Sequence, residues 1–445
     1  MESSSAEAIA YVAPEQVAYR LSQAFGAERV QHAIGNHFRL GEEDARVIGY
    51  PRSIEEISEM LKLAHAEGWR VVPAGTGTWL EMGNRVAQCH LIISTAHMKR
   101  VLEYEPADLT CTVEAGVALH DFNAQAAEYR QFIPLDPFGA SKGTLGATIA
   151  TASHGPLRCA YGTPRDWLIG ARVVHVDGTL TKAGGKVVKN VAGYDLCKLY
   201  TGSYGTLVIL GEMNFKLRAL PTADRTLVFY ADQPASLCEL TARFIDSDLQ
   251  LAACELLSPQ AGLPIESARA ALVLRCWNEE EETATWQIGE AQRLGAEFSS
   301  TVLSETEAAE FWRAYHDSET AEHWTHSLRV TSLPSDLAAT VADVQRLMPS
   351  GTLRAHCYNG VLRVLGDDNL LEELRSRFRY KLLLELREAA QARGGQLVIV
   401  RAPQELKNQL DVWGEVGANA ALLRGIKQQY DPQGRLNFGR FVAGI

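Results

Sequence analysis

Apolar and polar positions along this chain change period several times. Ile57, Met60, Leu61 and Ala64 recur at helical spacing behind Ser53, a residue suited to cap a helix, with Glu55 and Glu56 in the first turn. They predict a helix ended by Gly68. Upstream, Val17, Leu21 and Phe25 share one helical face, so residues 1–48 read as a helical lead-in. Short strands are expected at Arg70–Pro73, His90–Ser94 and Thr110–Glu114, with a helix over Leu119–Tyr129 after Gly116. Strands and helices therefore alternate in this half.

From Leu135 to Gly211 glycines and small residues recur every few positions, between β-branched runs such as Ala171–Val176. Bare backbone is needed where φ is positive or where a ligand or another backbone comes close. The stretch predicts a wrapping for a large, flat, phosphate-bearing cofactor.

The texture changes near Pro221. Strands are expected at Arg225–Tyr230, Ala271–Trp277, Ser327–Thr331, Leu353–Tyr358, Val361–Leu365 and Leu397–Val400. Asn359-Gly360 between two of them signals a hairpin. Helices are expected over Ala235–Phe244, Glu279–Arg293, Leu370–Ala392 and Leu422–Tyr430. The acidic run at Glu279 reads as a solvated face. This half reads as an antiparallel or mixed sheet with helices on one face, and the whole chain as α+β.

Length and charge narrow the choice. At 445 residues two or three domains are expected, and 46% apolar with 22% charged residues is a globular composition. A net charge of −11 argues against nucleic acid or anionic lipid as the main partner. No apolar run approaches a membrane span, and the N-terminus has no signal-peptide pattern, so a cytoplasmic location is expected. The eight cysteines contain no C-x-x-C pair, which argues for reduced thiols and against a ferredoxin-type cluster in this chain. A partner would have to carry the cluster if electrons leave singly.

The strand before Pro73 runs into Ala74-Gly75-Thr76-Gly77-Thr78. Such a turn exposes successive N–H groups beside hydroxyls, a nest for a pyrophosphate, although an ordinary tight turn explains it as well. It is neither a Walker A loop nor a G-x-G-x-x-G turn.

Taken in order, Pro73–Thr78, Thr144-Leu145-Gly146-Ala147 followed by Gly155, Tyr161–Asp166 and Gly202–Leu207 resemble the FAD-binding fold of the vanillyl-alcohol oxidase and para-cresol methylhydroxylase superfamily. The tail from Lys427 through Asp431-Pro432 to Asn437 and Phe441 is similar too, with Phe438 where that superfamily has proline. Within it, Gly184–Leu196 and Asp411–Gly414 resemble the FAD-binding subunits of bacterial glycolate oxidases.

The resemblance implies a domain of the para-cresol methylhydroxylase type over residues 49–221, a cap over 222–420 for substrate or subunit docking, and a segment 421–445 returning to the first domain. It implies FAD held by Pro73, Ala74, Gly75, Thr76, Gly77 and Thr78 at the pyrophosphate. Pro137, Thr144, Leu145, Gly146, Ala147, Thr148, Ser153, His154 and Gly155 would form the wall along the flavin and ribityl chain. Val208 would contribute its backbone, and Arg158, Arg165, Lys189 and Asn190 would offset negative charge. No histidine stands in the first glycine loop, so the FAD is expected to be non-covalent.

Oxidising a 2-hydroxy acid needs a flavin, a cation for the carboxylate and a base for the hydroxyl proton. Arg329 and His356 are the candidates for cation and base. Arg354–Gly360 only partly echoes the H-x-G-D-G-N-x-H segment of relatives that do this chemistry, and no Glu-His-Gly occurs. His323 and His326 would face a metal together only if helical, and no metal site is expected. The resemblance implies one subunit of a multi-subunit glycolate oxidase or dehydrogenase. Its partners would be a paralogous FAD-containing catalytic subunit and an iron–sulfur subunit, and through them the chain would be peripheral on the inner face of the cell membrane. A self-sufficient D-2-hydroxy-acid dehydrogenase and a structural subunit stabilised by FAD are the other readings.

Overall fold

The computed structural model describes residues 12–32, 38, 40, 47–86, 88–139, 141–186, 193–259, 261–266, 268–321, 323–367, 370 and 379–445. Among the described residues three large sheets carry the chain, beside a two-stranded pairing of Gln131–Phe132 with Arg218–Ala219. The first has the order Val30–His32, Val47–Gly49, Leu91–Ser94, Val71–Ala74. Its outer pair is antiparallel and the other two pairings are parallel. The second is antiparallel, in the order Val101–Glu105, Thr110–Glu114, Ile209–Lys216, Leu168–Val174, Leu180–Gly184.

The helix Ile54–Ala66 joins the two sheets. Ser53 Oγ accepts from Glu56 N at 3.2 Å and caps it, as its sequence predicts. Ile54, Ile57 and Leu61 are buried in one core with Leu91 and Ile93 of the first sheet and Val174 and Ile209 of the second. Gly211 is required there, because a Cβ would overlap the Ile54 side chain.

The lead-in is not helical throughout. Its helix is Pro14–Phe25, and Val30–His32 and Val47–Gly49 are strands. Strands of three residues are too short to show alternation, and their partners define them: Val30 lies opposite Gly49.

The third sheet is antiparallel and eight-stranded: Ser299–Val302, Ala223–Ala231, Ala270–Asn278, Ala253–Leu257, Thr352–His356, Val361–Gly366, His326–Thr331, Leu397–Arg401. Leu227 and Phe229 of its long second strand enter a core shared with the helices Pro234–Ile245, Glu281–Leu294, Leu337–Leu347 and Arg379–Ala392. Val228 and Tyr230 alternate into a second core with Phe311 and Tyr315, from the helix Glu305–Ser318, and Phe138 from the N-terminal half. The face opposite the four helices is therefore the one turned to the N-terminal sheets. The expected hairpin is present, with Gly360 at φ +60°. Of the helix expected over Leu370–Ala392, residues 371–378 lie outside the described residues.

The tail returns. After the helix Ala420–Tyr430, Leu436 bridges in parallel to Val71 at the strand that precedes the glycine loop. No described helix is long and apolar enough to cross a membrane.

Candidate functional site

Pro73 and Ala74 end a strand whose parallel neighbour, Leu91–Ser94, holds the loop that follows. Ser94 Oγ donates to Gly75 O at 2.7 Å and Thr95 Oγ1 to Ala74 O at 3.3 Å. Gly77 then turns at φ +93°, where a side chain would be strained. Among the described residues none accepts from the backbone N–H of Thr76, Gly77, Thr78 or Trp79. Four successive uncommitted donors in a turn make an anion nest.

Facing the loop, Thr144 caps the short helix Leu145–Thr151 by accepting from Ala147 N at 3.2 Å. A Cβ on Gly75 would overlap Thr144 Oγ1, and one on Gly146 would lie 2.8 Å from Ala115 O. The third wall begins at Tyr204 (φ +54°) and Gly205 (φ +65°) and continues through Val208 to Leu210. Asn437 and Arg440 of the tail close it: Asn437 Nδ2 donates to Tyr204 O, and Arg440 Nη2 donates to Leu80 O and Met82 O at 2.5 and 2.6 Å.

These walls line an open, mostly apolar cavity, with about 810 Å³ of empty space including the part open to solvent and the glycine loop along one side. Of the residues expected on sequence grounds, Pro73, Ala74, Gly75, Gly77, Thr78, Gly146, Ala147 and Val208 line it. Thr76 instead turns its hydroxyl to Lys142 O at 2.5 Å. Thr144, Leu145 and Thr148 are buried behind the lining. Gly155 packs against Asp136, whose carboxylate accepts from Gly155 N (3.2 Å) and Leu157 N (2.8 Å). Pro137, Ser153, His154 and Arg158 do not line the cavity, and Arg165 is exposed. Lys189 and Asn190 lie outside the described residues. Sequence reasoning missed Trp79, Leu80, Met82 and Ala150. Trp79 and Leu80 directly follow the glycine loop, and that adjacency was their one signal.

Over the cavity stands the cap sheet. Arg329, Arg363 and Arg354 are register partners on three neighbouring strands, so they share one face. Arg354 is spent on Ser318 Oγ and on Ala261 O at 2.9 Å. Arg363 lies 3.1 Å from Glu319 and over the Phe138 ring. The side chain of Arg329, half-buried, makes no hydrogen bond or ion pair with any described residue. Burial lowers its pKa, while neighbouring Tyr204, which lines the cavity, raises it.

Two strands along, His356 lies opposite Glu255. Its Nδ1 is 2.8 Å from Glu255 Oε2, which also accepts from Tyr315 Oη at 2.5 Å. Burial raises the Glu255 carboxyl, and His356 opposes that. The His356 ring stacks on Phe138 and lies 5.9 Å from the ring of His154, which belongs to the N-terminal half. Arg158 Nη1 is 2.9 Å from His154 Nε2. Burial first, then His356 and nearby arginines, hold His154 well below the ordinary histidine range, so its ring is neutral. The expected cation and base are thus brought to one face, at the seam between the halves. His323 lies in a turn and His326 begins a strand, so they do not form a helical pair. Among the described residues no group of three His, Cys, Asp or Glu could hold a metal ion.

Residues 45–184 match the FAD binding domain family. Over nearly its whole length the chain superposes on p-cresol methylhydroxylase (TM-score 0.71, 14% identity, 97% of this chain and 96% of that one). It shares the fold of that p-cresol methylhydroxylase structure. A 4-ethylphenol oxidase from Gulosibacter chungangensis superposes equally well (TM-score 0.71, 15% identity, 96% of each chain). In sequence, this flavoprotein-fold chain is 34% identical over 216 residues to the glycolate oxidase subunit GlcD of Bacillus subtilis (strain 168), covering 48% of this chain and 46% of that one. It is 28% identical to a D-2-hydroxyglutarate dehydrogenase of Xanthomonas citri pv. viticola, over 88% of both chains. A probable mitochondrial D-lactate dehydrogenase of Danio rerio is 26% identical over 89% of this chain and 84% of that one. The chain is thus a homologue of FAD-dependent oxidoreductases. The cavity fits the cofactor, because the uncommitted N–H groups of the glycine loop can take a pyrophosphate and the lining beside them is mostly apolar.

Proposed function

We propose that this chain is the FAD-binding subunit of a multi-subunit oxidase or dehydrogenase for glycolate or a similar small 2-hydroxy acid. FAD binds non-covalently, its pyrophosphate on the N–H groups of Thr76–Trp79 and its rings along Gly146, Ala147 and Val208. When bound it supplies a two-electron acceptor. Electrons pass on to an iron–sulfur partner, and a paralogous FAD-containing subunit shares the assembly. The similarity to a protein named as a glycolate oxidase subunit supports this reading.

The observation that carries the hydroxy-acid chemistry is Arg329, an uncommitted, half-buried guanidinium beside Tyr204 at the cavity. A guanidinium fork matches a carboxylate. The same observation favours a second reading, a self-sufficient D-2-hydroxy-acid dehydrogenase of the D-lactate type, since Arg329 and His356 would give this chain its own substrate site. In a third reading the FAD only stabilises the complex.

Purified chain, alone and with co-purifying subunits, is assayed for flavin released on denaturation and for anaerobic bleaching by glycolate and by D-lactate. Bleaching of the lone chain supports the second reading. Bleaching that requires the partners supports the first, and bound flavin that never bleaches supports the third. Absence of flavin in every preparation overturns all three.

A further inference from the structure

The hydrogen-bond partners of the two facing histidines determine their tautomers. An ionised carboxylate only accepts hydrogen bonds, so whenever the His356 ring holds a single proton, that proton sits on Nδ1, toward Glu255. Its Nε2 is then a lone pair. That atom is buried and has no hydrogen-bond partner among the described residues, on a residue only 3% exposed. A guanidinium only donates, so His154 Nε2 is the acceptor from Arg158 and its proton sits on Nδ1. His154 Nδ1 is also buried without a hydrogen-bond partner among the described residues. One unpaired acceptor and one unpaired donor thus stand on rings 5.9 Å apart, one from each half of the protein. A buried polar atom left unpaired is costly, and two of opposite sense on neighbouring rings point to a group that satisfies both. A hydroxyl does: it donates one hydrogen bond and accepts another.

We propose that His356 and His154 clamp the hydroxyl of the 2-hydroxy acid, His356 Nε2 as the base and His154 Nδ1–H as the donor to the same oxygen. The proposal rests on the hydroxy-acid reading above. In the step, the O–H bond breaks and its proton goes to His356 Nε2. The C–H bond on the same carbon breaks and its electron pair leaves as hydride to the FAD, and the C=O π bond forms from the oxygen's electrons. The growing negative charge on oxygen is met by His154 Nδ1–H. Glu255, held by Tyr315, is a positioning residue: it fixes the His356 tautomer and faces the imidazolium that forms.

Flavin-loaded wild type, H356Q, H154F and E255Q are compared in two measurements. The first is anaerobic flavin reduction by D-lactate and by glycolate, followed across pH. The second needs no turnover: binding of pyruvate and of propionate, read from the flavin absorbance, since pyruvate has the oxygen that propionate lacks. H356Q should reduce its flavin at least about a hundredfold more slowly while keeping the pyruvate preference. H154F should lose that preference, about tenfold in wild type. E255Q should slow reduction and move its pH midpoint down, because the charge opposite the imidazolium is gone. The other charged groups around the pair, Arg158, Arg329, Arg363 and Asp136, are unchanged in it. H356N and H154Q replace any variant that does not fold. Reduction by the His356 variant within threefold of wild type, or retention of the pyruvate preference without His154, overturns the clamp alone. Failure of wild type to reduce its flavin with either acid overturns the hydroxy-acid reading together with the clamp.

Discussion

Lys427 Nζ lies 2.6 Å from Asp431 Oδ2, one helical turn away, and both side chains are buried. Nζ also donates to Thr206 O and Leu436 O, each at 2.8 Å. Asp431 in turn accepts from Leu436 N at 2.8 Å and Arg435 N at 2.9 Å. This pair pins the last residues of the chain to the third wall of the cofactor cavity. Tyr204 of that wall stacks on Phe441 and meets Trp413 edge-on, which carries the connection into the cap.

Removing one partner of a buried, fully hydrogen-bonded ion pair strands the other charge. K427M should therefore cost about 3–5 kcal/mol of stability. Urea unfolding followed by flavin fluorescence measures it. Flavin release should precede global unfolding in the variant, because Thr206 stands between Tyr204 and Val208.

The glycine loop is tested by steric means. In G75V the new side chain overlaps Thr144, which caps the helix carrying Gly146 and Ala147. In G77A an L-residue is forced to φ near +93°, a strain of about 1–2 kcal/mol. Both proteins should fold with far-UV dichroism like wild type, and both should purify with less flavin, G75V with the least. A wild-type flavin ratio in G75V would remove the loop from the binding site.

Arg329 separates substrate binding from cofactor binding. R329M leaves the cavity lining intact, so flavin content should not change. Under the proposed function it removes a charged hydrogen-bonding partner of the hydroxy acid, worth about 2–3 kcal/mol. The kcat/KM for the hydroxy acid should fall by roughly 30- to 160-fold, most of it in KM.

Lys407 makes stability depend on pH. Its Nζ donates to Glu81 O on the loop beside the cavity, and burial with the nearby Arg440 lowers its pKa to about 8 from 10.5. Between these values the unfolded chain binds the extra proton, so this group's contribution to stability rises with pH across the window and is constant below it. The midpoint of urea unfolding, measured across that range in wild type and K407M, should show this rising contribution only in wild type.

Much of the N-terminal half is written in local chemistry. Ser53 caps the helix at Ile54, Pro73–Thr78 line up as strand and turn, and Gly146 and Val208 reach the cavity wall, because capping, positive φ and close approach are properties of single residues and near neighbours. The strands Val30–His32 and Val47–Gly49 were hidden, since a three-residue strand exists only through its partner. The roles of the cap residues were hidden for a related reason. Nothing near Glu255 or Tyr315 in the chain marks either one; Glu255 meets His356 across 101 residues and Tyr315 across 60 only when the sheet register and the helix Glu305–Ser318 bring them together. Seven residues after His356 stands Arg363, and sequence alone does not tell that it faces Glu319 and Phe138. The sequence by itself determined that this chain carries an FAD-binding fold, because backbone geometry is locally encoded. Only the tertiary structure decided which nitrogen of each histidine is unpaired, because that depends on charged partners at the seam, one of them reached through long-range strand pairing.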